Sequence, residues 1–255
     1  MIQDIPADPI PQETDPDSGL PIGPRVPDPS PARPPERVVL AGRYARLDPL
    51  DSTLHRDDLY AASTPPDRAA RFRYLPDPAP DSPEAFDTWL ARSVASPDPL
   101  FFAVTDRTTG RVEGRQALMR IAPSNRCIEI GHIYWGPRIA GTRVATEAMY
   151  LLAVYALETL GYRRFEWKCD ALNAPSRRAA LRFGFTYEGR FRRAVIVRGR
   201  NRDTAWFAMI DEEWPALKAA YEQWLAPGNF DDQCRQGTRL SQLTAKALAS
   251  VPRSA

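Results

Sequence analysis

Cysteine and histidine are scarce in this chain, with three and two among 255 residues. Cys127, Cys169 and Cys234 cannot all pair and share no CxxC spacing, which excludes a disulfide scaffold and fits a reducing compartment. With only His55 and His132 available, a zinc site would need carboxylates at a spacing the chain does not show, so no metal is expected. No apolar run approaches the roughly 18 residues that span a bilayer. The stretch Met1 to Pro11 has neither a basic start nor an apolar follow-on, so no secretory signal is read and a cytoplasmic location is expected. Charge of one sign is lacking too: 34 Lys and Arg face 32 Asp and Glu, a net of +2. That balance gives no long-range field for nucleic acid, so any basic patch must be local.

Proline, by contrast, is plentiful and unevenly placed, with eleven of the 26 falling before residue 37. Interleaved with Asp, Ser and Gly, they leave too few apolar side chains to offset the entropy of ordering. Residues 1–36 are expected to form a disordered or polyproline-like arm. Residues 226–255 read as a mostly irregular tail, with a weak helical spacing at Leu240, Leu243 and Leu248. Between them, residues 37–225 are long enough to bury roughly 70% of their unfolded surface as one domain.

That central segment alternates strand and helix signals. Strands are predicted at Arg37–Leu47, Leu100–Asp106, Val112–Ile121, Cys127–Trp135, Phe165–Asp170, Phe185–Val197 and Thr204–Ile210. Helices are predicted at Asp51–Ser63, Ser82–Val94, Thr142–Leu160, Asn173–Phe183 and Glu212–Leu225. The order implies an α/β layered fold whose sheet has mixed strand directions.

The run Arg138 to Glu147, including Gly141, Thr142 and Arg143, joins a strand to a helix. Unpaired amides at a helix start carry partial positive charge and suit a phosphate. An ordinary capped helix would give the same pattern. A second run, Asn173-Ala-Pro-Ser176, starts the next helix, which ends at Gly184-Phe185. Taken together, Ala145-Thr-Glu-Ala148, Asn173 to Ser176 and Gly184-Phe185 resemble the GNAT acyltransferase superfamily, particularly the ribosomal-protein N-terminal acetyltransferase branch. The resemblance covers about Arg37 to Leu225 in element order. It implies a mixed, mainly antiparallel sheet of about seven strands, with helices on both faces and a splayed central strand pair.

What the resemblance implies about function is an N-acetyltransferase that moves acetyl from acetyl-CoA to a primary amine by direct attack in a ternary complex. Arg138, Gly141, Thr142, Arg143, Val144 and Ala145 would face the pyrophosphate, and Ile133, Tyr134 and Trp135 the pantetheine. Arg143 stands where the family has Gly or Ala, and its guanidinium matches phosphate geometry. Asn173 and Ser176 would touch the cofactor arm, with Ser176 helping protonate the departing thiolate; Asn173 also reads as a plain helix cap. Many family members carry a tyrosine acid where this chain has Ala180. Glu129 would be the base that deprotonates the amine, with His132 as the second candidate. The ribosomal branch has a further glutamate where this chain has Val195.

Two other readings remain open: a catalytically weak acyl-CoA-binding regulatory module, and a binder of acidic partners through the hairpin that carries Arg190, Arg192, Arg193, Arg198, Arg200 and Arg202. The bland account of that hairpin is a solvated turn tied by Asp203. The sequence also leaves a homodimer open.

Overall fold

The computed structural model describes residues 11–251. In the arm, β1 (Glu13–Thr14) and β2 (Pro21–Ile22) form a short antiparallel ribbon. There follow β3 (Leu40–Ala41), β4 (Ala45–Pro49), α1 (Arg56–Ser63), α2 (Arg68–Arg71), α3 (Pro83–Ala95), β5 (Leu100–Asp106), β6 (Arg111–Ala122) and β7 (Cys127–Trp135). The second half holds α4 (Arg143–Val154), β8 (Arg164–Asp170), α5 (Ala174–Arg182), β9 (Thr186–Val197), β10 (Arg200–Ile210), α6 (Trp214–Leu225) and α7 (Leu240–Ser250).

Strands β3 to β10 make one sheet of eight in the order β3-β4-β5-β6-β7-β8-β10-β9. All neighbours are antiparallel except β7 and β8. The predicted count of about seven rises to eight because the chain turns back near Gly42: Leu40 pairs with Leu47 and Ala41 with Arg46. Strand β5 shows how the sequence feeds two layers. Leu100, Phe102 and Val104 enter the larger core under α4, α6 and α7, whereas Phe101 and Ala103 join a smaller one with Leu59 of α1 and with Phe86 and Leu90 of α3. That is the period of two expected of a strand buried on both faces.

Two boundaries differ from the sequence reading. The first helix starts at Arg56, not Asp51, because the Asp51 carboxylate accepts from the amides of Thr53 and Leu54 and holds a turn. The arm is not free along its whole length. Residues 1–10 lie outside the described residues, but Ala32 is 7% exposed in the main core, its amide donates to Pro123, and the Arg33 amide and guanidinium donate to the carbonyls of Leu160 and Thr159. Proline density forecasts the entropy of a segment and says nothing about a docking groove elsewhere. The tail carries one α-helix, at the spacing read from Leu240, Leu243 and Leu248, and it is docked: α7 buries Leu240 fully and Ala247 to 8% exposure beside α6. Residues 252–255 of that tail lie outside the described residues.

Candidate active site

Strands β7 and β8 pair only from Cys127 with Arg164 to Ile130 with Trp167. Beyond that point they diverge, so the edge of Gly131–Trp135 that faces β8 has no strand partner. A cleft of about 550 Å³ opens there, lined by Glu129, Gly131 to Trp135, Trp167 to Cys169, Asn173, Ser176 and Arg202. On its other side β7 bulges: His132 and Ile133 together oppose Gln116 of β6, and His132 takes φ 49°, in the left-handed region. The bulge re-aims the main chain toward the cleft. Strain of this kind at a non-glycine residue is characteristic of functional sites.

Glu129 lies on the floor and is 2% exposed. It is not a free carboxylate. Its Oε2 is 2.6 Å from Arg120 Nη1 and 3.1 Å from Lys168 Nζ. Lys168 is in turn 2.7 Å from Glu166, whose other oxygen is 2.7 Å from Arg164. Burial pushes the Glu166 carboxyl up, but Lys168 and Arg164 outweigh it, and the net direction is down. Two cations therefore already occupy Oε2 of Glu129.

His132 lines the same cleft. Its Nδ1 lies 3.6 Å from Asp77 Oδ2, just beyond hydrogen-bond length, so a small ring rotation would close the contact. Nε2 has no protein partner among the described residues and is not sealed from solvent. Asp77 also accepts from Trp89 Nε1 at 3.1 Å and Arg92 Nη2 at 2.8 Å. The His132 imidazole, with Arg115 and Trp89 in support, holds the Asp77 carboxyl down to about 2 against the cost of its burial. The pair has the arrangement of a base and its orienting carboxylate.

At the start of α4, Thr142 caps the helix by accepting from the Val144 amide at 3.2 Å. Gly141 has φ 79°, and nothing lies within 4 Å of where a side chain would begin, so the turn leaves an open cradle in front of the helix amides. Ala140 of this turn lines the cleft. Glu147, within the Ala-Thr-Glu-Ala motif, points the other way: it accepts from the amides of Arg43, Tyr44 and Ala45 at 2.5–2.9 Å, and so pins β4 to α4.

The two arginines expected at phosphate each have partners within the protein. Arg138 Nη1 is 3.0 Å from the buried Glu113 carboxylate, although most of its side chain is exposed. The Arg143 guanidinium is sandwiched between the rings of Tyr44 and Phe230, at 4.7 and 4.8 Å from their centroids. Two aromatic faces thus hold the guanidinium. Val144 and Ala145 are buried, so they offer only their amides. Tyr134 likewise turns its ring away: its hydroxyl donates to the Ala62 carbonyl at 2.6 Å.

Asn173 accepts from the Ser176 amide at 3.1 Å and is a true cap, and both residues line the cleft. Ser176 Oγ accepts from Trp167 Nε1 at 3.0 Å, which leaves its own proton to donate. Ala180, at the position of the family tyrosine, is fully buried. Burial pushes up the neighbouring Cys169 thiol, with a partly opposing hydrogen bond to Ser176. Of the six hairpin arginines only Arg202 reaches the cleft; Arg190 and the Arg193 amide are tied to Asp203.

Asp77, Arg115 and Lys168 were missed by the sequence reading. Asp77 comes from a loop with no periodicity. The signal for Arg115 was Glu113, Arg115 and Gln116 in the middle of a strand whose neighbours are apolar. A free β7 edge, the open Gly141 turn with helix amides behind it, and a polar cleft between them fit an extended acyl-carrying nucleotide.

A family model described as an acetyltransferase (GNAT) domain matches residues 45–186. A crystal structure of a GCN5-related N-acetyltransferase from Brucella melitensis is 52% identical, with a TM-score of 0.84, and the match covers 85% of this chain and 98% of that one. A GNAT-family acetyltransferase candidate from Chromobacterium violaceum is 37% identical with a TM-score of 0.71, covering 77% of this chain and 98% of its own. YdaF of Bacillus subtilis, described as a candidate ribosomal N-acetyltransferase, is 31% identical over 110 residues, which are 43% of this chain and 59% of YdaF.

Proposed function

Because the chain belongs to the acetyltransferase (GNAT) family, we propose that it moves an acetyl group from acetyl-CoA to a primary amine by direct attack in a ternary complex. Acetyl-CoA supplies the activated thioester; everything else is the work of the chain. The single observation that carries this reading is the splay, where an unpartnered β7 edge, a bulge at His132 and the open start of α4 meet around one cleft.

The amides behind Gly141 receive the pyrophosphate, and the free edge of Ile133–Trp135 pairs with the amide-bearing arm. A main-chain N–H of that edge polarises the thioester carbonyl. His132 Nε2 takes the proton from the amine before its nitrogen attacks the acyl carbon, and Asp77 holds the ring and stabilises its charge. Glu129, with Arg120 and Lys168, sets the field of the floor and does not itself carry the proton. As the carbon–sulfur bond breaks, Ser176 donates its hydroxyl proton to the thiolate and is reprotonated, through solvent, by the second proton that the attacking nitrogen sheds on becoming an amide.

The test is calorimetry with acetyl-CoA, alongside thiol release on an amine panel. Gly141→Val places a β-branched residue at φ 79° and should weaken acetyl-CoA binding about tenfold, given roughly 1–2 kcal/mol of strain in the left-handed region. No binding of acetyl-CoA at millimolar concentration would overturn the proposal. Binding without thiol release to any amine would instead support the regulatory module.

A further inference from the structure

Beyond the Asp77 that faces His132 lies a second cavity of about 330 Å³. Phe72, Pro78, Phe86 and Trp89 give it apolar walls, and Arg115 lines it as well. Arg115 is 2% exposed. Its guanidinium lies 4.2 Å from the Trp89 ring centroid, and Nη1 donates to the His132 carbonyl at 3.0 Å. Among the described residues its side chain makes no other hydrogen bond and has no carboxylate within 4.0 Å.

A guanidinium carries five N–H donors and keeps its charge in proteins. Burying it with one carbonyl partner is costly, and a core selected for stability alone would place an aliphatic side chain here. Desolvation already pulls the Arg115 proton affinity down to about 10, with Asp77 and Tyr134 pulling it back. Asp77 is the counter-charge of this cation in the same cavity, but no carboxylate touches it. Asp77 is committed to Trp89, Arg92 and His132, Arg92 is paired with Asp77, and Asp81 is exposed. A guanidinium with no carboxylate in contact, a planar donor fork and apolar walls together describe the receptor for a carboxylate on an apolar body. A dianionic phosphate would need a second free cation, and Arg92 is not free.

We propose that this cavity anchors the acyl acceptor by a free carboxylate, so that the substrate is a small amino-acid-like molecule with an apolar or aromatic side chain. Arg115 holds the carbonyl of the residue whose ring faces the cleft, which ties this cavity to His132. A protein N-terminus has no α-carboxylate beside its amine. The amine half of the proposal rests on the acyltransferase reading above; the carboxylate half does not.

The experiment compares 3-phenylpropionate with 3-phenylpropionamide by calorimetry on the full chain, since neither carries an amine and neither can turn over. The wild type should bind the acid about tenfold tighter than the amide, as one charge-assisted pair implies. Arg115→Met should abolish that preference while its melting temperature stays at or above the wild-type value, because a buried charge with no carboxylate in contact has gone. Equal affinities in the wild type, or a preference that survives Arg115→Met, overturn the assignment. Should Arg115→Met fail to fold, Arg115→Lys replaces it, with a reduced preference expected, and the wild-type pair of ligands still decides. Tighter binding of phenylphosphonate than of the acid also overturns it. With acetyl-CoA present, thiol release should be faster with phenylalanine than with phenethylamine, and the reverse order refutes the placement of the amine. If the acid is preferred but acetyl-CoA does not bind, the cavity stands and the acyltransferase reading falls.

Discussion

The contact between His132 and Asp77 beside the cleft gives the most direct prediction. Replacing Asp77 by Asn keeps its shape and removes the negative charge 3.6 Å from His132 Nδ1. At that distance two unit charges in an effective dielectric of about 20 interact by roughly 4–5 kcal/mol. Arg115 and Arg92 offset part of that field, so loss of the orienting carboxylate is expected to cost about ten- to a hundredfold in rate. Asp77→Asn should therefore lower kcat by that factor, leave KM for acetyl-CoA nearly unchanged, and approach the effect of His132→Ala, expected at about 10²-fold. The same change bears on stability. The Asp77 carboxyl is held at about 2, below its ordinary 3.8, so it stabilises the fold fully above pH 4, and that contribution is lost as pH falls through about 2. The full shift is worth about 2 kcal/mol, so Asp77→Asn should lower the melting temperature at pH 7 and flatten its decline between about pH 4 and 2. Stopped-flow thiol release and thermal melts against pH measure both. A variant with kcat within twofold of wild type would refute the dyad.

One further substitution and a pair of truncations separate the remaining roles. Glu129→Gln leaves Arg120 and Lys168 without a shared carboxylate, so the melting temperature should fall, by about 1–3 kcal/mol of stability, while kcat stays within about tenfold. A hundredfold loss of kcat with an unchanged melt would return the base to Glu129 and sink the case for His132. Deleting residues 1–27 should leave the melting temperature almost unchanged, whereas deleting 1–36 should lower it by several degrees, because Ala32 and Arg33 dock beside Pro123 and Leu160. Equal melts for the two truncations would show that the docked segment contributes nothing.

Much of the scaffold was legible in the chain alone, because the physics involved is local. Alternation in Leu100–Asp106, the Thr142 cap, the Asn173-to-Ser176 turn and the left-handed Gly141 each depend on residues a few positions apart. What the sequence could not convey was the direction in which long side chains turn once the layers close. Glu129, His132 and Arg143 were named from their positions, but whether each is free, paired or stacked depended on Lys168, Asp77 and Phe230, which are 39, 55 and 87 residues away. The burial of Arg115 and the docking of Ala32 have the same origin. A buried charge acquires its meaning from whichever distant groups the fold brings within a few ångströms, because the low dielectric there makes those few neighbours decide its state.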